Sequence, residues 1–168
     1  MNQLTESKLY DIRYSELSDG ESMKEWLKDP QVGLWYPPST EIDQDTFVKN
    51  WIGFARYRAS LTATYEGQTI GVITIYLMPY IKVAHVSMIY FIVSPEFLGQ
   101  GVEVSLLRNV KHLARSRFRL ESMHCEVFEG SGQIKDLQEA GFQEIIRQED
   151  FVEFPDGLRA RLIYECCL

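Results

Sequence analysis

Gly99 and Gly101 flank Gln100 in the run LGQGVE, Leu98 to Glu103, which follows an apolar stretch and a break at Ser94-Pro95 and opens onto residues at helical spacing. A glycine loop leading into a helix offers free backbone N–H groups and the positive end of the helix dipole, the chemistry of a phosphate cradle. Glu103 opposes that chemistry, because a carboxylate in the first helical turn satisfies the same N–H groups and competes with a phosphate. The same run also reads as a tight loop whose helix Glu103 stabilises, since a lone G-x-G has little specificity. Three histidines can titrate near neutrality. His85, in VAHV, reads either as a general base or as a strand histidine hydrogen-bonded in the interior. His124 reads as structural, and His112, in mid-helix among basic residues, as solvent-facing. Ser131, between Gly130 and Gly132, can donate a hydrogen bond to a reacting group or cap the helix that follows. No spacing supports a nucleophile-base-orienter triad or a carboxylate pair.

The elements that must position these residues follow from the changing periodicity. LYDIRYSEL predicts a first strand, and SDGESMKEWLKDP a short helix terminated by Pro30. An aromatic loop, VGLWYPPS, precedes a helix over EIDQDTFVKNWIGFARY, capped by Ser39 or Thr40, with Ile42, Phe47, Trp51 and Phe54 near one face. ASLTATYEGQTIGVITIYL predicts two strands joined at EGQ, and VAHVSMIYFIV a long buried strand. From Gly101 the pattern is helical through Leu106, Leu107, Val110, Leu113 and Ala114. LESMHCEVF predicts another strand, SGQIKDLQEAGF a short helix capped by Ser131 and stopped at Gly141, and the rest a hairpin turning at PDG. Glu149 and Asp150 read as a turn or a solvated hairpin. The order βααβββαβαββ predicts an α/β (α+β) fold, a single mixed and mostly antiparallel sheet of about seven strands with helices on both faces.

Composition narrows the function classes. With 168 residues, 45% of them hydrophobic, the chain is expected to form one domain over residues 1–168. No apolar run approaches a membrane span and the start MNQLTESKLYDIR lacks a signal-peptide pattern, so a cytoplasmic chain without a membrane partner is expected. Cys125, Cys166 and Cys167 form no metal-type pair, and no metal is expected. A formal charge of −7 repels polyphosphate chains, which argues against nucleic acid, and favours a cationic or amine substrate.

These residues together resemble the GNAT superfamily of N-acetyltransferases, over nearly the whole chain in element order and most sharply from His85 to Phe142. LGQGVE occupies the frame of the family's Q/R-x-x-G-x-G/A. VSPEFLGQGVEVSLL is similar to V-x-P-E-Y-R-G-K-G-I-G-x-x-L-L, and LQEAGF to the EKLGF that closes the family's fourth helix. The front half, with YDIRY and EWLKDPQVGLWYPP, looks like the branch of ribosomal-protein and aminoglycoside acetyltransferases. The coenzyme motif is degenerate: Leu98 replaces the usual Gln or Arg, and Glu103 stands in the first turn.

The resemblance implies an acetyl-CoA-dependent transfer of an acetyl group to a primary amine of a small molecule or a protein N-terminus, by a monomer or homodimer. It implies that acetyl-CoA binds along Phe91, Ile92 and Val93 and over Leu98, Gly99, Gln100, Gly101, Val102 and Glu103. His85 matches the place of a glutamate base in several members. The tyrosine that many members offer to the leaving thiolate is Leu137 here, and the asparagine at that helix's start is absent, which leaves Ser131 as a donor. The loop of Trp35 and Tyr36, with Tyr76, borders the acceptor side, where Glu41, Asp43 and Asp45 would attract a cation. A catalytically weak or inactive module that binds or interacts is the alternative that Leu98, Glu103 and Leu137 motivate.

Overall fold

The computed structural model describes residues 10–168. Leu9, expected to begin the first strand, and the first eight residues of the opening stretch read for a leader lie outside them. The elements are β1 (Asp11–Tyr14), α1 (Asp19–Lys28), α2 (Pro30–Gly33), α3 (Glu41–Ile52), β2 (Ser60–Tyr65), β3 (Gln68–Tyr76), β4 (Val86–Val93), α4 (Val102–Ser116), β5 (Ser122–Phe128), α5 (Gln133–Glu139), β6 (Gln143–Phe154) and β7 (Gly157–Cys167). One seven-stranded sheet runs β1-β2-β3-β4-β5-β7-β6, with β4 and β5 the parallel pair and the other neighbours antiparallel. This is the mixed, mostly antiparallel architecture expected from the element order, with one extra helical turn.

Local chemistry explains most boundaries. Pro30 does not merely stop α1. Asp29 accepts the Gln31 N–H at 2.8 Å and Pro30 takes the first position of α2, where its missing donor costs nothing. Thr40, not Ser39, caps α3 by accepting the Asp43 N–H at 3.2 Å. The β2–β3 turn places Glu66 and Gly67 at φ 50° and 78°, the left-handed pair that a two-residue hairpin requires. One expectation is corrected. Ile42, in the first turn of α3, is 79% exposed, and α3 buries Trp51 together with Val48 and Ile52. Glu149 and Asp150, read as a turn or a solvated hairpin, are exposed in β6 of the closing hairpin, at a bulge where the register shifts between Gln148 and Val152 and Asp150 turns to φ 51°.

The two faces of the sheet hold separate cores. Leu106, Leu107, Val110 and Leu113 of α4, with Leu137 of α5, pack on Ile73, Ile89, Phe91, Cys125 and Leu162. On the other face Met23, Trp26, Leu27, Val48, Trp51 and Ile52 cover Val72 and Ile92. Asp19 pins α1 to the first three strands. Its carboxylate accepts two bonds from Arg13 at 2.9 and 2.8 Å, the Glu16 N–H at 2.8 Å, and the hydroxyls of Thr62 and Thr69 at 2.8 and 3.0 Å. Burial pushes its pKa up, but Arg13, the Glu16 N–H and the Thr62 hydroxyl outweigh that and hold it below the ordinary carboxylate value.

Asp19→Asn is therefore expected to cost about 2 kcal/mol at neutral pH, since the amide cannot accept all five bonds and turns an N–H against Arg13. Because the folded pKa lies below the unfolded one, this contribution is complete above the unfolded value and is lost as pH falls through the folded value. Urea midpoints of wild type and variant, taken at about pH 7 and about pH 3, should converge on acidification. An equal gap at both values would show that the carboxylate charge contributes nothing.

Candidate functional site

β4 and β5 pair only over Val86–Met88 and Ser122–His124, at their N-terminal ends. Beyond Met88 β4 stays paired with β3 on one edge, through Gly71 opposite Val93, while β5 keeps to β7 up to Phe128 opposite Arg161. The two strands part, and the open edge of β4 becomes the wall of a cavity of about 490 Å³. Its other walls are the Gly99–Gly101 loop, the N-terminus of α4, the start of α5, and Trp35 and Tyr36 from the loop after α2.

The edge of β4 carries the first polar station. Alternate residues of an antiparallel strand turn their backbone groups to opposite sides. The Phe91 carbonyl turns into the cleft, where it accepts the Tyr36 hydroxyl and, at 3.0 Å, the Gln133 side-chain amide; that amide also donates to the Tyr36 oxygen at 3.0 Å. Burial keeps the Tyr36 hydroxyl protonated far above neutrality.

The second station is the loop before α4. Gly99 and Gly101 adopt φ 69° and 88°, conformations that glycine takes without strain, and a Cβ on either would meet open space. Glu103 folds back over this loop. One carboxylate oxygen accepts the Gly99 N–H at 3.1 Å; the other, Oε2, is buried and has no partner. Glu103 is only 4% exposed, and burial raises its pKa against the opposing pull of its own N–H and that of Gly99. Asp136, one turn into α5, lines the same cavity and is pushed up to about 7 by burial, by Glu103 and by Glu139. Spacing along the chain disclosed no carboxylate pair, yet the fold brings two carboxyls 33 positions apart, at 103 and 136, onto one cavity.

Of the residues singled out in the sequence, Phe91, Val93, Leu98, Gly99, Gly101, Glu103, Ser131, Trp35 and Tyr36 line the cavity. Ile92 faces the opposite core, Val102 is fully buried, and Gln100 is exposed on the loop. Tyr76 joins Phe54 and Tyr90 in an aromatic cluster outside the cavity. Ser131 is buried, and its hydroxyl oxygen accepts the Gln133 N–H at 3.2 Å, the capping role.

His85 is corrected in position. The expected long buried strand begins only at Val86; Ile81–Val83 form a 3-10 turn, and His85 is exposed at the mouth of β4. Six residues, roughly 20 Å of strand, separate it from Phe91, and the structure does not bring it to the cleft. His124 sits on β5 opposite Met88, half-buried, with burial lowering its pKa. Leu137, at the place of the family tyrosine, is fully buried in the core. Tyr36 and Gln133 are the polar cleft residues that sequence reasoning missed in these roles; the aromatic run was the only signal for the first, and the second gave none.

Two carboxylates of the acidic stretch are engaged elsewhere. Asp45 pairs with Lys24 at 2.5 Å and Lys49 at 2.6 Å, and Asp43 accepts the Thr40 hydroxyl at 2.7 Å. Among the described residues, no helix is long and apolar enough to cross a membrane.

Comparison with known proteins agrees with this geometry. The model of the Acetyltransferase (GNAT) family matches residues 20–142. Ribosomal-protein-alanine N-acetyltransferase from Brucella melitensis superposes with a TM-score of 0.75 at 19% identity, covering 94% of this chain and 99% of that one. YncA, a putative acetyltransferase from Salmonella typhimurium solved with its cofactor acetyl-CoA, gives 0.78 at 14% identity, with 95% and 94% covered. Ribosomal-protein-S5-alanine acetyltransferase from Vibrio fischeri gives 0.72 at 11% identity, with 94% and 92% covered. Identities this low establish likeness of fold. No curated protein matches the chain.

Proposed function

The chain belongs to the acetyltransferase (GNAT) family, and from that premise we propose that it is an acetyl-CoA-dependent N-acetyltransferase acting on a primary amine of a small molecule or a protein N-terminus. The observation that carries the reading is the parting of β4 from β5 after Met88, which opens a cleft running from the Phe91 edge to the N-terminus of α4. The fold neighbour solved with acetyl-CoA supports it. The open space over Gly99 and Gly101 fits a diphosphate approaching the backbone closely, and a free strand edge fits the amides of a pantetheine arm. We assign the backbone of Phe91, Ile92 and Val93 to that arm and the loop from Leu98 through Gly99, Gln100, Gly101 and Val102 to the diphosphate. The side chain of Glu103, folded over that loop, is in direct conflict with it.

Acetyl-CoA, when bound, supplies an activated thioester. The chain's own part is to exclude water with Trp35, Tyr36 and Phe91, to orient the carbonyl, and to hold protons. Tyr36 Oη is a protonated hydroxyl at the strand edge, held by Gln133, and we assign it the donor role that Leu137 cannot fill. Ser131, which caps α5, is assigned a positioning role through Gln133.

A second reading is favoured by a specific observation. The Gly99 N–H is held by Glu103, and the Phe91 carbonyl by Tyr36 and Gln133, so both stations of the cleft are satisfied from within. A chain that keeps them so would be a GNAT-like module without catalysis. Calorimetry with acetyl-CoA, followed by release of free thiol over polyamines, aminoglycosides, peptides with free N-termini and neutral amino acids, separates the two. The enzyme reading expects binding and turnover on at least one acceptor. Absence of binding at millimolar acetyl-CoA would sink it, and binding without turnover across the panel would favour the module.

A further inference from the structure

Glu103 and Asp136 confront any anion that enters this cleft. Glu103 comes from the first turn of α4 and Asp136 from α5, and both line the cavity beside Gly99 and Gly101. The other ionisable groups facing them are Lys135 and Glu139 on α5, Tyr36 from the loop after α2, and Tyr10, whose hydroxyl donates to the Gln100 carbonyl at 2.9 Å. Lys135 is the one cationic side chain among the described residues lining the cavity, against three carboxyls. Glu103 Oε2 is buried without a hydrogen-bond partner. A charged carboxylate oxygen left so is costly, and a proton on it lowers the cost.

Resting on the acetyl-CoA reading above, we propose that the diphosphate of the coenzyme is received by the Glu103–Asp136 pair in proton-bearing form, so that binding takes up a proton and a neutral carboxyl, not a basic side chain, donates to the phosphate oxygen. The atoms balance without a co-reactant: one proton passes from solvent to the pair, no covalent bond of the ligand changes, and the O–H so formed points to the anion. Two ionised carboxylates and a diphosphate in one partly desolvated cleft repel each other, whereas a carboxyl O–H to a phosphate oxygen is a charge-assisted hydrogen bond. Asp136, at about 7 before any anion arrives, is poised to hold the proton, and the charge of a bound diphosphate raises it well beyond neutrality. Affinity is therefore greatest when the pair is protonated and falls as pH rises, by about tenfold per pH unit above neutrality for a single linked proton.

The test uses the full chain and dephospho-CoA, which keeps the diphosphate but lacks the 3′-phosphate and its own titration. Titration calorimetry from about pH 6 to about pH 8.5, in buffers of different ionisation heat and with EDTA present, counts protons. The expected result is proton uptake that is small at about pH 6, where the pair already holds its proton, and approaches one at the alkaline end with the tenfold slope, with Asp136→Asn and Glu103→Gln each flattening the slope and binding more tightly at the alkaline end. Pantetheine, without the diphosphate, should bind with no proton linkage. Dephospho-CoA binding that is independent of pH, or that appears only when Mg²⁺ replaces EDTA, would overturn the inference while leaving the acetyl-CoA reading intact. Failure of dephospho-CoA to bind either wild type or Asp136→Asn at any pH would overturn that reading and the inference with it. Thermal melts of both variants separate a lost slope from a lost fold, and agreement between the two substitutions is required.

Discussion

Trp51→Ala is expected to lower folding stability by about 4 kcal/mol, since large-to-small changes of fully buried aromatics remove both transfer free energy and packing. Trp51 has no exposed surface and anchors the core on the α1–α3 face, with ring centroids 5.6 Å from Phe47, 5.9 Å from Tyr36 and 5.5 Å from Tyr90. Through Tyr36 the same ring backs the wall of the cleft, so the variant should also weaken coenzyme binding. Trp51 Nε1 is buried without a partner, and removing that cost offsets part of the volume lost in Trp51→Phe. The phenylalanine variant should lose less than about 1.5 kcal/mol. Urea unfolding of both variants checks the pair, and an alanine variant within about 1 kcal/mol of wild type would mean that this core is not close-packed.

Gly101→Val is expected to reduce affinity for acetyl-CoA at least about 100-fold, as two or more charge-assisted bonds at the helix terminus are lost. Gly101 holds φ 88° at the N-cap of α4, and a side chain there would project into the open space above the loop. A β-branched residue adds strain of about 1–2 kcal/mol in that conformation, so stability should fall by that much and no more. Calorimetry and urea unfolding on the same preparation separate the two effects. Wild-type affinity in a folded Gly101→Val protein would show that the terminus of α4 is not the anion site.

The polarity of these effects was only partly legible in the chain. The Gly99–Gly101 loop, the Glu66-Gly67 turn and the stop at Gly141 could be read because turn and helix-boundary chemistry acts over a few residues, and all four glycines take positive φ. The conflict at Glu103 was legible for the same reason, being a first-turn carboxylate. Its severity was not, because burial and an unpartnered oxygen depend on what α5 brings against it. Ile42 shows the limit of periodicity, which ranks faces of a helix without saying where the neighbouring element ends.

Residue order alone determined the family, the sequence of strands and helices, and the place of the glycine loop before α4, since each rests on periodicity, turn chemistry or a contiguous motif. Only the tertiary structure decided which side chains share the cleft. Tyr36 and Gln133 meet 97 residues apart on the Phe91 carbonyl, and the meeting exists because the crossover through α4 makes β4 and β5 parallel neighbours that then part. His85 lost the cleft by the same geometry, since it precedes the strand at the end where the pair is still closed. Local interactions select the elements, but proximity across the sheet is set by strand order and splay, which no short stretch of residues encodes.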